Sequence, residues 1–412
     1  MISLIVLAIV FILIAIRNMF HIKIEIWEIM LFGAIAVIVT QQISINKAFE
    51  AIDMDVILFL FGMFVVGKAL EMSGYLSQIA YSLFKGIENG DKLLLYIIFI
   101  FAFFSALLVN DTVAIIGTPV ILLLAKKYKI NTKASLLSLV FAITIGSVTT
   151  PIGNPQNFLI AVNSNIDFPF FTFLKYLLLP TLINLFVLYI LIKFFYKFDF
   201  QKTKIGSFYS FVKDKKLAFL SKISISIILI LVFLKIIFAF FHLKLDFKLT
   251  YIAILSSLPI IIFSNKRLEI IKEIDWHTLI FFASMFILME SVWETGFFQP
   301  LIKNDYLAIT STDSILLISI VLSQFLSNVP LVALYLPVLL SANVGEKGLM
   351  ALAAGSTIAG NLSILGAASN VIIIQQAEKK GETITFFDFI KIGLPLTIIN
   401  ALVYWIFLYL IP

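Results

Sequence analysis

The stretch Ser147-Val148-Thr149-Thr150-Pro151-Ile152-Gly153-Asn154-Pro155-Gln156-Asn157 lies between two apolar segments, Ser135 to Ile145 and Phe158 to Val162. Together those segments are long enough to cross a bilayer, but the middle cannot continue a regular helix. Pro151 and Pro155 lack the backbone N–H that a helix interior needs, and Gly153 favours unwinding. Asn154, Gln156 and Asn157 are badly placed against lipid, where an unpaired amide costs several kcal/mol. Broken backbone at membrane depth is tolerated where it lines a protein cavity or water-filled site. The stretch therefore reads as half of a binding site. The blander alternative is a proline-kinked helix with satisfied amides, which breakers and amides this dense argue against.

The composition around it is that of an integral membrane protein. The 412 residues are 61% hydrophobic and 13% charged, with a mean hydropathy of +1.08. Soluble domains are roughly half apolar and a quarter charged. The net charge of +6 does not imply nucleic acid, because the basic residues cluster in loops between apolar spans. There is no cysteine, hence no disulfide, thiolate metal site or thiol redox chemistry. The three histidines, His21, His242 and His277, are far apart in sequence, which argues against a histidine metal centre. The first apolar run, Ile2 to Ile16, meets its first charge at Arg17. A signal peptide has its charge first and a small-residue cleavage site after, so this run reads as a retained helix.

Moving outward, Leu93–Ala125 is too long for one span and is interrupted by Asn110-Asp111-Thr112. Ser314–Leu340 is interrupted at Ser327-Asn328-Val329-Pro330. Leu349–Ile374 contains Gly360-Asn361-Leu362-Ser363-Ile364-Leu365-Gly366-Ala367-Ala368-Ser369-Asn370. The two halves repeat. Asp53 through Gly74 aligns with Asp275 through Gly296, matching Met63-Phe64 with Met285-Phe286. Asn110 and Pro119 align with Asn328 and Pro337 at one offset; Thr144, Gly153 and Asn157 align with Thr357, Gly366 and Asn370 at another. Phe170, Lys175 and Pro180 echo Phe386, Lys391 and Pro395. Matching polar interruptions in two hydrophobic halves point to a transporter binding site.

Charge orients the halves. If Leu93–Ala125 is a re-entrant hairpin with its tip at Asn110, each half crosses an odd number of times and the halves are inverted. The loops at Arg17–Lys23, Lys85–Lys92, Lys126–Lys133, Lys193–Lys222, Lys266–Lys272 and Lys379–Lys391 then share one face. They and the adjoining helix ends hold most of the 30 basic residues. The opposite face holds Lys47, Lys175, Lys244, Lys248, Lys303 and Lys347, a positive-inside bias that makes the first face cytoplasmic. The hairpin reading rests on apolar arms shorter than the roughly 20 residues a span needs.

The expected architecture is an all-α polytopic membrane protein of the cell membrane with inverted structural repeats. Residues 1–196 form the first, with an inner re-entrant hairpin over 93–126 and a broken helix over 133–165. A basic cytoplasmic linker, 197–222, leads to the second repeat, 223–412. This contains an outer hairpin over 312–342 and a broken helix over 347–378.

Asp111 is the one carboxylate inside the first hairpin, and an ionisable group at membrane depth reads as functional by default; the alternative is a tip that reaches water and needs only a polar cap. Asn110, Thr112, Thr150 and Asn154 supply neighbouring oxygens, the donor type sodium prefers. Helix N-termini after Thr112 and Asn157 suit an anionic oxygen. In the second half Ser327 and Asn328 persist, but Val329 and Pro330 replace Asp111 and Thr112. Asn361, Ser363, Gly366, Ser369 and Asn370 form the facing loop, and Asn154/Asn157 and Asn361/Asn370 are expected to face one another across the site. Glu71, Glu290 and Glu294 read as interfacial, and Lys235 as snorkelling outward. No triad, phosphate loop or metal-ligand cluster is present, so the sequence does not read as an enzyme.

Asn110-Asp111-Thr112 with Thr118-Pro119, Thr150 through Asn157, Ser327-Asn328, and Gly360 through Asn370 together resemble the ion transporter superfamily. The likeness is to its arsenite permease and sodium/proton antiporter-like branch, grouped with citrate and divalent-anion symporters. The resemblance implies an elevator-type homodimer with two hairpins and two broken helices enclosing the site. Its dicarboxylate branch carries Ser-Asn-Thr at each tip; here Val109 and Asp111 flank Asn110, and Val329 follows Asn328. The function expected is secondary active transport of a small anion or metalloid oxyanion, arsenite-like or carboxylate, coupled to sodium or protons. No cofactor is expected beyond the coupling ion. The partners expected are the lipid bilayer and a small inorganic or organic anion. A sodium/proton antiporter is the alternative, and a non-transporting membrane scaffold ranks below it.

Overall fold

In a chain this apolar every backbone polar group must find its partner inside the molecule, which helices achieve within single segments. The computed structural model describes residues 2–19, 25–84, 87, 89–164, 166–196, 212–241, 247–296 and 308–411, and among them there is no strand. The first half runs α1 (Ile2–Met19), α2 (Ile26–Val39), α3 (Ile45–Glu50), α4 (Met54–Ser73), α5 (Tyr75–Leu83), α6 (Gly90–Leu107), α7 (Asn110–Tyr128), α8 (Thr132–Ser147) and α9 (Pro155–Asn163). It closes with α10 (Pro169–Phe195), which contains a π-helical turn at Leu174–Leu178. The second half runs α11 (Lys215–Phe240), α12 (Leu249–Phe263), α13 (Arg267–Glu273), α14 (Trp276–Trp293), α15 (Thr312–Leu326), α16 (Asn328–Ser341), α17 (Glu346–Ile358), α18 (Ala368–Glu378) and α19 (Phe386–Leu410). Among the described residues, six helices are long and apolar enough to cross a membrane.

Among the described residues the element order repeats except at α5, and so do local details. Asp53 and Asp275 both cap the helix that follows them, α4 and α14, by accepting backbone N–H bonds. Gly74 and Gly296 each follow that helix with φ of 70°. This left-handed conformation suits glycine, which carries no Cβ penalty there.

The halves cross over. α1 and α2 pack against α14 of the second half, while α11 and α12 pack against α4 of the first. The same exchange holds in the centre: α9 lies against α16, and α18 lies against α7. At Gly62 the backbone of α4 approaches α12 so closely that a Cβ would sit 2.6 Å from the Ala253 carbonyl oxygen.

Three expectations shift. The first hairpin's arms are 18 and 19 residues, not short apolar stubs. Residues such as Asp91 at one end and Lys126 and Lys127 at the other extend the helices beyond the apolar run. The second half's first helix begins at Lys215 rather than Ile223, because lysine is a good helix former and can reach water from a helix end. Of the basic segment expected over 197–222, residues 197–211 lie outside the described residues, as do His21 and His242. Lys235, expected at the surface, is 6% exposed, with its Nζ 4.9 Å from the centre of the Phe247 ring.

Candidate functional site

Each broken helix is rebuilt by one asparagine. Where α8 stops, its last carbonyls lose their helical partners. The Asn157 amide nitrogen replaces them, donating to the carbonyls of Ser147 at 3.0 Å, Val148 at 3.3 Å and Thr150 at 3.1 Å. Asn370 repeats the pattern at equivalent positions, donating to Gly360 at 2.7 Å and Ser363 at 3.2 Å. Gly153 N–H donates to Thr150 and Gly366 N–H to Ser363, again in register. Space requires the glycine at 153 and crowds the one at 366. A Cβ at Gly153 would lie 2.4 Å from the Ser147 carbonyl oxygen, and one at Gly366 3.0 Å from that of Ala359.

The hairpins latch onto these breaks. Asn110 N–H donates to the Gly153 carbonyl at 3.1 Å, setting the first tip level with the first break. Thr150 Oγ1 donates to the Ala106 carbonyl on α6. At the corresponding place in the second half, Ser363 Oγ donates to Gln324 Oε1 at 3.3 Å, and Gln324 Nε2 donates to the Ala359 carbonyl at 2.8 Å. Gln324 was not singled out in sequence; the offset that matches Asn110 with Asn328 also matches Ala106 with Gln324. The two breaks meet at Thr357, which accepts from Asn154 Nδ2 at 3.3 Å and donates to Asn157 Oδ1 at 3.4 Å.

The tips come together on one cavity of about 510 Å³. Asn110 and Asp111 line it from the first tip, and Ser327, Asn328, Val329 and Pro330 from the second. Pro155 and Gln156 at the start of α9, and Ala367 and Ala368 at the start of α18, also line it. The remaining wall comes from Gln375 on α18 and from the starts of α2 and α14: Glu25, Trp27, Asp275, His277, Thr278, Phe281 and Phe282. His277 stacks on Trp27 with ring centres 4.7 Å apart, and Trp27 Nε1 donates to Glu25 Oε2 at 2.8 Å. Sequence alone gave no reason to join Glu25 to Asp275; the crossover of the halves does so. Among the described residues the wall carries Glu25, Asp111, Asp275 and His277, and no lysine or arginine.

Asp111 is partly buried, and its carboxylate makes no hydrogen bond or ion pair among the described residues. Its own N–H donates to Asn110 Oδ1 at 3.0 Å. Thr112 turns away from the cavity to meet α4, where a Cβ at Gly67 would sit 2.5 Å from Thr112 Oγ1. Of the four oxygens expected around sodium, those of Asn110 and Asp111 border the cavity. Thr150 and Asn154 do not: Thr150 serves Ala106, and Asn154 caps α9 through Asn157 N–H at 2.8 Å. Asn157, Asn361 and Asn370 are likewise fully enclosed behind the cavity wall. Asn154, Asn157 and Asn370 donate to carbonyls that the breaks set free, whereas Asn361 meets no hydrogen-bond partner among the described residues.

The second half is left less satisfied. Ala367 stands where Asn154 caps the first half, so α18 has no side-chain cap. Asn328 Oδ1, both polar side-chain atoms of Asn361, Ser369 Oγ and Asn370 Oδ1 are buried without a hydrogen-bond partner. Ser327 holds φ 67° and ψ 160°, a region that glycine alone occupies easily and that costs other residues about 1–3 kcal/mol. Of these residues Ser327 and Asn328 border the cavity, while Asn361, Ser369 and Asn370 lie behind its wall.

The model of the citrate transporter family matches residues 8–348. The chain belongs to that family. This citrate transporter family member is 28% identical over 404 residues to an uncharacterized transporter of Mycobacterium tuberculosis, covering 92% of each chain. It is 25% identical to the silicon efflux transporter LSI3 of Oryza sativa subsp. japonica, covering 90% of this chain and 89% of that one. Among solved structures it resembles the Alcanivorax borkumensis YdaH transporter with a TM-score of 0.58 at 13% identity, covering 91% and 88% of the two chains. That likeness concerns the fold. The family member is thus a multi-pass membrane transporter, and not an enzyme.

Proposed function

We propose that this transporter is secondary active and moves a small oxygen-rich acid, a carboxylate or a metalloid oxyanion, together with sodium or protons. The observation that carries the reading is the convergence of both hairpin tips and both broken helices on one 510 Å³ cavity. The uncapped start of α18 offers N–H groups to an anionic oxygen, and the orphan Asn328 Oδ1 offers an acceptor to a hydroxyl or cation. The wall restricts the form of the cargo. With Glu25, Asp111 and Asp275 present and no lysine or arginine among the described lining residues, an anion enters as its protonated acid or beside a cation. Charge compensation then links cargo to coupling ion, and Asp111 with Asn110 is where we assign the cation.

The same acidic wall favours one second reading, a sodium/proton antiporter whose only cargo is cations. The inverted arrangement of the halves belongs to the proposal too. It draws support from the ion pairs Lys47–Glu294, Lys248–Asp55, Lys193–Asp91, Lys266–Asp214 and Lys133–Asp388. Each joins segments that the charge pattern assigns to one face. Reconstituted liposomes test the function directly. Uptake of radiolabelled citrate, arsenite or silicic acid that follows an imposed sodium or proton gradient supports the symport reading. Sodium-dependent pH change with no uptake of any of them selects the antiporter. Absence of both in correctly folded protein refutes transport coupling.

A further inference from the structure

Next to the main cavity lies a crevice of about 220 Å³ that shares Asp111 and Asp275 with it. Its other polar walls are Lys68, Glu71, Thr112 and Glu273. Lys68 is the one base among these described residues, and it is held at the far end. Its Nζ lies 3.1 Å from Glu71 Oε2 and 3.0 Å from Glu273 Oε2, carboxylates whose side chains are 38% and 51% exposed. Ion pairs that reach water are weak and readily exchanged. Gly67 brings the α4 backbone onto Thr112, so Lys68 and Asp111 each adjoin one side of the same contact. A lysine ammonium on its flexible four-carbon stem can cross such a space.

The internal repeat supplies an independent comparison. A second crevice, of about 320 Å³, is built from equivalent positions: Asp53 for Asp275, Phe286 for Phe64, and Ala333 and Leu334 for Ile115 and Ile116. There Glu290 occupies the place of Lys68, and the hairpin tip has Val329 in place of Asp111. The lysine occurs in the half that has the aspartate, and is missing where the aspartate is missing.

Resting on the coupling role assigned to Asp111, we propose that Lys68 is an exchangeable internal counter-ion for it. With a cation bound, Lys68 rests on Glu71 and Glu273 as in this structure's geometry. When the cation leaves, the ammonium swings to Asp111, sparing the empty carrier a bare charge at membrane depth. The cation and Lys68 therefore compete for one carboxylate.

The test uses the purified full chain, with sodium as probe at fixed pH. We expect radioactive sodium to bind wild type and not Asp111→Asn. Lys68→Gln should lower the half-saturating sodium concentration about tenfold, whereas Lys68→Arg should stay near wild type. Amine-reactive labelling of Lys68, read by mass spectrometry, should rise severalfold on adding sodium and be indifferent to sodium in Asp111→Asn. If Lys68→Gln does not fold, the labelling of the wild-type chain decides alone. Sodium binding that is absent from wild type, or equal in Asp111→Asn, overturns the coupling role and this proposal with it. Sodium binding that requires Asp111 while Lys68 labelling stays unchanged overturns the counter-ion alone.

Discussion

The first hairpin and its break satisfy each other's polar groups, whereas the second pair, latched through Gln324, keeps buried polar atoms without partners among the described residues. In the first half Asn154 caps α9, Asn157 satisfies three carbonyls, and Thr150 ties the break to α6. In the second, Ala367 provides no cap, Asn370 reaches two carbonyls, and five buried side-chain atoms at Asn328, Asn361, Ser369 and Asn370 have no hydrogen-bond partner. The charge lies in the first half, at Asp111, and the spare neutral hydrogen-bonding groups in the second. Equivalent backbone thus shows the cavity different groups: Asp111 from one half, Asn328 and the uncapped start of α18 from the other.

Removing the charge should have the largest effect. In Asp111→Asn the amide keeps the shape of the side chain but loses its attraction for a cation. At 4 Å and an effective dielectric of about 20 that attraction is about 4 kcal/mol, so cation binding should weaken about a thousandfold. Ion-driven accumulation in liposomes should vanish while thermal unfolding is unchanged; retained accumulation with the same ion dependence would move coupling elsewhere.

The asparagines probe the first half against the second. Asn157→Ala removes three donations to buried carbonyls and Asn370→Ala removes two; at about 0.5–1.5 kcal/mol per bond the first should lower unfolding stability more. Equal losses, followed by thermal melting in detergent, would break the comparison.

A smaller change can cap the second half. Ala367→Asn installs the cap that Asn154 provides in the first half, and should stabilise the protein by about 1 kcal/mol. Because the new side chain occupies N–H groups at the start of α18, cargo affinity should fall severalfold in equilibrium binding. Stabilisation with undiminished affinity would show that this helix start does not touch the cargo.

The breaks were readable because proline, glycine and amides inside an apolar run leave few other readings, and the match of Asn157 with Asn370 proved to be a match of hydrogen bonds. Asp111 stood out because a lone carboxylate between apolar arms is expensive. The remainder depended on tertiary placement. Gln324 and Lys68 lie inside helices, where nothing local points to their distant partners, Ala359 for one and Glu273 for the other. Glu25, Asp275 and His277 enter the cavity wall only because α2 packs on α14 across the halves. Nor can a sequence show that an asparagine repairs its own broken backbone, as Asn154 and Asn157 do here.

The central claim is that one cavity joins the acidic tip to the neutral one, and a single cysteine tests it. The native chain has none. Val329→Cys on the second tip should react with a small polar maleimide, and sodium should slow that reaction. The protection should disappear in Val329→Cys combined with Asp111→Asn, because the ion is held from the opposite half. Labelling that sodium leaves unchanged, or protects equally in both proteins, would contradict a shared site.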